Sequence, residues 1–555
     1  MTIRFVFALL FLTYSVSSLV AQEKKKIEIL GADILTKGNV RGENVRKLIG
    51  SVKMKQGDVY MDCDSAYFYA DRNAVDAFGH VYIHQGDLQI YSDSLKYNGD
   101  ERIADLYGNV RLLEPRMELT TKKLTYNLNT KTAKYSNGGH VISEGTDLVS
   151  RIGYYYSENK MAYFRYGVKL VNPNYTLECD TLGYNMEREI SYFFGPTKIT
   201  TNESKIYCES GWYNSKTEIS NFGKNTVLDN PPQILYADSL YYEKKKGYGE
   251  AYYHFDWIDT SQNIILSGGK AIFYELTDSI TATEKPLLTY ILDGDSLHIA
   301  ADTLISRKDT VAERELFAFH KVRLFKSDMQ GKCDSLVYAF RDSTIRMYRE
   351  PVLWGDKSQM TGDTIYLYMK DSKMDRVELF PNGFIINESF PKLYDQIKGR
   401  HIWGYFVDGD LNNMHVAGNG ESVYYGKDSR SAYLGINKAQ CSEMWIYINE
   451  NKVNRIKFYT KPTATFHPIQ LVDPETFKLE NFNWRYDQRP QSKEDLLTEP
   501  EPAPLPATDA NANGARKGTK PAANTTFDKP TGEAPMPPPS PQPITNDTSA
   551  APIKP

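Results

Sequence analysis

SDSLKYNGDERIADLYGNV (residues 92–110) is one copy of a phrase that returns along the chain. It opens on a small residue and an acid, Ser92-Asp93. It then alternates Leu95 and Tyr97, turns through Asn98-Gly99-Asp100, and closes on Gly108-Asn109-Val110. Aligned on Asp93, equivalent positions fall at Asp64, Lys122, Arg151, Asp180, Glu209 and Asp238, each step 29 residues long. The steps then lengthen to 32 residues, at Lys270, Asp302 and Asp334, and return to 29 at Asp363. A fixed period of this length is the signature of a repeat architecture.

Neighbouring columns hold the same register. The residue before the aligned position is always small, as in Cys63, Ser92, Thr121, Ser150, Cys179, Cys208 and Ala237. Two residues after it the chain favours leucine (Leu95, Leu124, Leu182, Leu240), and four after it tyrosine (Tyr97, Tyr126, Tyr155, Tyr184, Tyr213, Tyr242). Side chains alternate along a strand, so each Leu/Tyr pair shares one face. Asn, Gly and Asp supply the turn that follows, and the glycine of GHV (79–81) and GNV (108–110) permits a tight bend. One such unit cannot bury its own apolar face, so units must stack, with neighbouring rungs about 4.8 Å apart. The expected fold is all-β: an elongated jellyroll or solenoid of stacked 29-residue repeats.

Composition agrees. Aromatic residues make up 13% of the 555-residue chain, 40 of them tyrosine, which favours pleated, half-buried surfaces. The net charge of -4 gives no basic field for nucleic acid. Arg4 followed by the largely apolar Phe5–Val20 reads as an export signal over residues 1–21, cleaved after Ala21. The first cysteine is Cys63, which argues against a lipid-anchored N-terminus. Repeats in good register occupy 27–265 and less regular ones 266–490, with ordered structure ending near FNWRYDQRP (482–490). The Pro- and Ala-rich stretch 499–555 reads as a disordered tail.

Candidate chemistry is sparse. Cys179 and Cys208 stand one repeat apart, and at rung spacing a disulfide is within reach; the alternative is a slot that simply wants a small side chain. His80 and His84 share a strand face, but no further ligands converge on them in sequence, so no metal is expected. The aligned acids resemble a carboxylate array, yet Lys122 and Arg151 take the same position, which argues for a solvated corner rather than catalysis. No catalytic residue and no cofactor is expected, and the chain reads as a non-enzyme.

These residues carry a family resemblance. The pattern of acid, large apolar residue and tyrosine, then a turn, then Gly-Asn-Val, resembles the organic-solvent-tolerance/lipopolysaccharide-transport repeat of the OstA-like and LptA families. It is matched by Asp93-Leu95-Tyr97 with Gly108-Asn109-Val110 and by Asp180-Leu182-Tyr184, with looser matches over about 60–370. The resemblance implies a periplasmic protein of outer-membrane biogenesis, with an open-ended β-jellyroll whose apolar interior shields the acyl chains of lipopolysaccharide. Partners would be lipopolysaccharide and other transport-system jellyrolls, or a second copy, joined by edge-strand pairing. Leu95, Tyr97, Val110, Leu124, Tyr126, Leu182, Tyr184, Leu240 and Tyr242 are the candidate groove-lining residues. The same residues are equally able to fill a core and leave no room for lipid. The rival function is a structural or adhesive β-solenoid that binds protein through its edges and tail.

Overall fold

The computed structural model describes residues 25–498, save 293, 309–312, 372, 429–431, 450, 451 and 472. The expected signal peptide and tail therefore lie outside the described residues. Within them the chain is an antiparallel meander of thirty-eight strand segments in one sheet, punctuated by short 3-10 turns. No helix among these residues is long and apolar enough to cross a membrane.

One repeat is two strands, out and back. Leu88–Asn98 pairs with Ala74–Gln85 on one side and Ile103–Glu114 on the other. The long strands of these repeats are broken near their middle by a register shift, as between Tyr91 and Ser94 or between Tyr107 and Val110. The shifts line up from strand to strand, and the sheet folds over along them into two facing leaves. Turns such as Gly57-Asp58, Gly86-Asp87 and Pro115-Arg116 border the first leaf. Those such as 99–102 and 128–131 border the second. Contacts across the fold establish the closure: the Tyr97 hydroxyl of the second leaf donates to Gln56 Oε1 of the first, and Gln56 Nε2 donates to the Gly99 carbonyl at 2.7 Å.

The recurring acid and the Gly-Asn pair meet at the corner. Gly108 and Asn109 both have left-handed backbones, with φ of 72° and 39°. Glycine and asparagine tolerate that region at low cost. Asp93 folds over the bulge, accepting from Asn109 Nδ2 at 2.8 Å, and a Cβ on Gly108 would stand 2.3 Å from Asp93 Oδ2. Asp64 repeats the arrangement with Gly79 and His80, whose Nδ1 lies 2.8 Å from Asp64 Oδ2. Where Lys122 takes the aligned position, a Cβ on the facing Gly138 would meet nothing within 4 Å. The acid braces an exposed corner.

This topology corrects the cysteine expectation. Cys179 pairs with Thr197, and Thr197 with Cys208, so an entire strand lies between the two cysteines. That places them about 9.5 Å apart, beyond the roughly 4.4–6.8 Å that a disulfide spans. All five cysteines are free. The error was to equate one repeat with one rung.

Strands continue without a break through residues 265–266, where Ile264–Tyr274 pairs with Tyr248–Asp259. After Pro468 the chain runs back along the outer face of the first leaf, through Thr498, past the end point expected from the sequence. Three buried glutamines on well-separated strands take part in holding this strap. Gln396 accepts from the Leu479 N–H at 2.8 Å. Gln359 donates to the Asn483 carbonyl and accepts from the Arg485 N–H, both at 2.7 Å. Gln330 accepts from Arg489 Nε at 2.6 Å. Leu479 packs against Phe384, Ile386 and Val423, giving the first leaf a second buried face.

Candidate lipid-binding chamber

The interior differs along the molecule. In the N-terminal repeats the two leaves meet completely. Leu95, Tyr97, Val110, Leu124 and Tyr126 are fully buried, as is Leu182 further on, within one continuous apolar cluster. Small residues seat the tyrosine rings: Ala104 stands directly opposite both Tyr97 and Tyr126. Burial pushes the Tyr97 hydroxyl up to about 12, so it stays neutral near pH 7.

Between the strands Tyr175–Asn185 and Gln233–Glu243 the leaves part around a cavity of about 1050 Å3. Its walls are Tyr175, Ile199, Ile206 and Leu228 from the first leaf, and Tyr213, Phe222, Leu240 and Tyr242 from the second. Tyr175, Ile206, Tyr213, Leu228 and Tyr242 are only partly buried, whereas their counterparts nearer the N-terminus are covered. The lip is formed by hairpin tips carrying Glu203, Glu218, Lys244, Glu275, Asp278 and Lys308. Among them sits Leu276, 84% exposed.

Ser220, Thr201, Ser204, Asn230 and Gln233 add neutral polar groups to the lining, and the charged groups are held at the edge. Tyr242 donates to Glu275 Oε2 at 2.8 Å, and burial, followed by that carboxylate, pushes its hydroxyl upward. Burial likewise raises Tyr175. Burial also works against ionising Asp278. Hydrogen bonds from Lys308 and Arg314 outweigh it and hold the carboxyl below its usual range. The Lys308 ammonium lies 2.6 Å from Asp278 Oδ2, and Arg314 Nη2 lies 2.9 Å from Oδ1. The result is an uncharged wall of aliphatic, aromatic and neutral polar side chains beneath a charged lip, suited to an amphiphile.

Of the residues expected to line a groove, Leu240 and Tyr242 line this chamber. Leu95, Tyr97, Val110, Leu124, Tyr126 and Leu182 belong to the filled core, and Tyr184 is half-buried and packed against it. Sequence reasoning missed Tyr175, Ile199, Ile206, Phe222 and Leu228, and left Tyr213 out of the groove set. No repeat column marks them: the slot two residues after the aligned position holds Gly211 in the repeat at the cavity, but it also holds Gly153 in a repeat where the Tyr135 ring fills the space.

Residues 24–180 and 174–238 match the model of the OstA-like protein family. Over this stretch the chain is similar to OstA-like proteins. The family match thus covers the filled N-terminal repeats and most of the chamber wall. A comparison with curated proteins gave no match. Among solved structures, a match is found to LptH, described as the LptA homologous periplasmic component of the conserved lipopolysaccharide transport device from Pseudomonas aeruginosa. Identity is 13%, the match covers 21% of this chain and 82% of that one, and the TM-score is 0.20, too low to support anything further.

Proposed function

We propose that this protein serves lipopolysaccharide transport to the outer membrane as a periplasmic, non-enzymatic carrier that shields acyl chains between its leaves. The observation that carries the reading is the chamber of about 1050 Å3 between the leaves, whose aliphatic and aromatic lining is Tyr175, Ile199, Ile206, Leu228, Tyr213, Phe222, Leu240 and Tyr242. The driving force is burial: each methylene moved from water into an apolar site contributes about 0.8 kcal/mol. Carriage of this kind needs no chemical step.

Mass spectrometry of lipids copurifying with the exported protein tests the reading, together with photo-crosslinkers placed at Leu240, Tyr213 and Leu124. Lipopolysaccharide should copurify, and crosslinks should form from Leu240 and Tyr213 but not from Leu124, which lies in the filled core. Absence of lipid and of crosslinks at all three positions, with cell-surface lipopolysaccharide unchanged on depletion, would favour a structural or adhesive solenoid.

A further inference from the structure

The chamber is bounded along the length of the molecule as well as across it. On its N-terminal side Tyr175 of the first leaf meets Tyr213 of the second edge-on, ring centres 5.6 Å apart. Beyond that contact a polar latch spans the mouth. Glu114, on the first leaf and almost wholly buried, accepts from the Tyr155 hydroxyl at 2.7 Å and from Lys160 Nζ at 2.5 Å, and also from Ser157, all three on the second leaf. Further toward the N-terminus the mouth is shut by Tyr97 on Gln56 and by Ile27, whose N–H donates to Asn73 Oδ1 at 2.9 Å.

On the C-terminal side the boundary is a cation over a ring. Arg314 of the second leaf lies 5.6 Å from the centre of the Trp257 ring of the first. It is fixed there by Ser306 Oγ at 3.0 Å and Asp278 Oδ1 at 2.9 Å. Between the two boundaries the hairpin tips stand apart, and exposed Glu203 of the first leaf and exposed Leu276 of the second form the lip.

An amphiphile travelling lengthwise through the jellyroll would have to break the Glu114 latch, displace buried tyrosines and separate Arg314 from Trp257. Each step strips partners from a buried polar or charged group, at about 1–3 kcal/mol per group and more for the charged ones. Entry from the side, over the lip, breaks none of these contacts. The volume agrees with a bounded site: it matches the upper end of pockets that take one drug-sized ligand, about 300–1,000 Å3.

We infer that the interior is a stopped chamber loaded from the side, taking the chains of one amphiphile between the 201–204 and 275–278 tips, and not a stretch of an end-to-end conduit. This rests on the lipid-carrier reading above and specifies its route. The inference concerns the path into the protein, so the experiment measures uptake with each path obstructed.

The test uses the full exported protein and a dansyl-labelled single-chain fatty acid, whose fluorescence rises on leaving water. Single cysteines are placed at the lip, Glu203→Cys or Leu276→Cys, and at the two ends of the sheet, Ile34→Cys or Phe466→Cys. Ile34 and Phe466 are both exposed. Each variant is coupled to a bulky polyethylene-glycol maleimide, with mass spectrometry confirming one label and thermal melting confirming the fold. Each coupled variant is compared with the same variant left uncoupled, which sets the reference rate for that position. Coupling at the lip should slow uptake by about tenfold or more, and coupling at either end should leave it unchanged. Slowing by the end labels with none from the lip labels would overturn the side-loading route while leaving the carrier reading intact. No uptake by the parent protein would overturn the carrier reading itself, and this inference with it.

Discussion

Filling the chamber should separate stability from binding. Ile206 is a half-buried wall residue on the strand Lys205–Asn214, opposite Ile199 and Leu228, with its side chain toward the cavity. Replacing it by tryptophan places an indole in space that is already empty, so little core must be displaced. The larger ring occupies room equivalent to about two methylenes, and at ~0.8 kcal/mol each a bound chain loses ~1.6 kcal/mol, roughly 15-fold in affinity. Leu124→Ala is the counterpart. Leu124 is wholly buried in the filled repeats, and its truncation should cost about 2–5 kcal/mol of stability without changing affinity in the folded protein. Titration of the dansyl fatty acid gives the affinities, and urea unfolding gives the stabilities. If Ile206→Trp folds normally and binds the probe as tightly as the parent, the chamber is not where the chain goes. If Leu124→Ala folds but loses binding, the chain lies in the N-terminal repeats, and the filled-core description fails.

Three further outcomes follow from particular contacts. Gln359→Ala leaves the Asn483 carbonyl and the Arg485 N–H without their partners. It should destabilise the protein by about 2–5 kcal/mol, with hydrogen exchange accelerated first at Arg485. Asp395 is half-buried, and desolvation pushes its carboxyl up to about 6 from the usual 3.8 even though it accepts from the Tyr425 N–H at 2.8 Å. Its folded value lies above its unfolded one, so the folded state binds the proton more tightly, and stability falls as pH rises from about 4 to 6. Asp395→Asn should therefore flatten that part of the profile and raise stability at pH 7 by about 2–3 kcal/mol in denaturant titrations. Burial pushes the thiols of Cys63, Cys179, Cys208 and Cys333 up to about 12. Iodoacetamide at neutral pH should modify these four slowly in the native protein and all five cysteines readily after unfolding, as peptide mapping would show.

Much of this molecule was legible before any coordinate. The alternation of Leu95 with Tyr97 marks an inward strand face, and the 29-residue period marks stacking. Lys122 and Arg151 in the acid's column point to an exposed corner, where the structure indeed puts Asp93 and Asp64 against left-handed bulges. The turn and bend within each 29-residue step mark at least two strands per repeat. What the step does not show is that both lie side by side in one sheet, so that a whole strand separates equivalent positions, as the pairing of Cys179 with Thr197, and of Thr197 with Cys208, does. The strap was equally hidden. Residues 469–498 have no strand or helix periodicity of their own, and their partners Gln330, Gln359 and Gln396 sit some 80 to 160 positions earlier.

The sequence by itself determined the class of fold, its repeat, and which side chains face inward, because strand alternation and turn chemistry are local. Tertiary structure alone decided which inward faces are filled and which enclose space. Leu124 and Leu240 occupy the same slot of the repeat and both are buried, yet only Leu240 borders the chamber. The difference lies in what the opposite leaf and the neighbouring strands contribute at each level. Ala104 lets two tyrosines close over it, whereas Ile206 and Leu228 face open space across from Tyr213 and Tyr242. An interior volume is a sum over residues far apart in the chain, and that sum is set only when the leaves fold together.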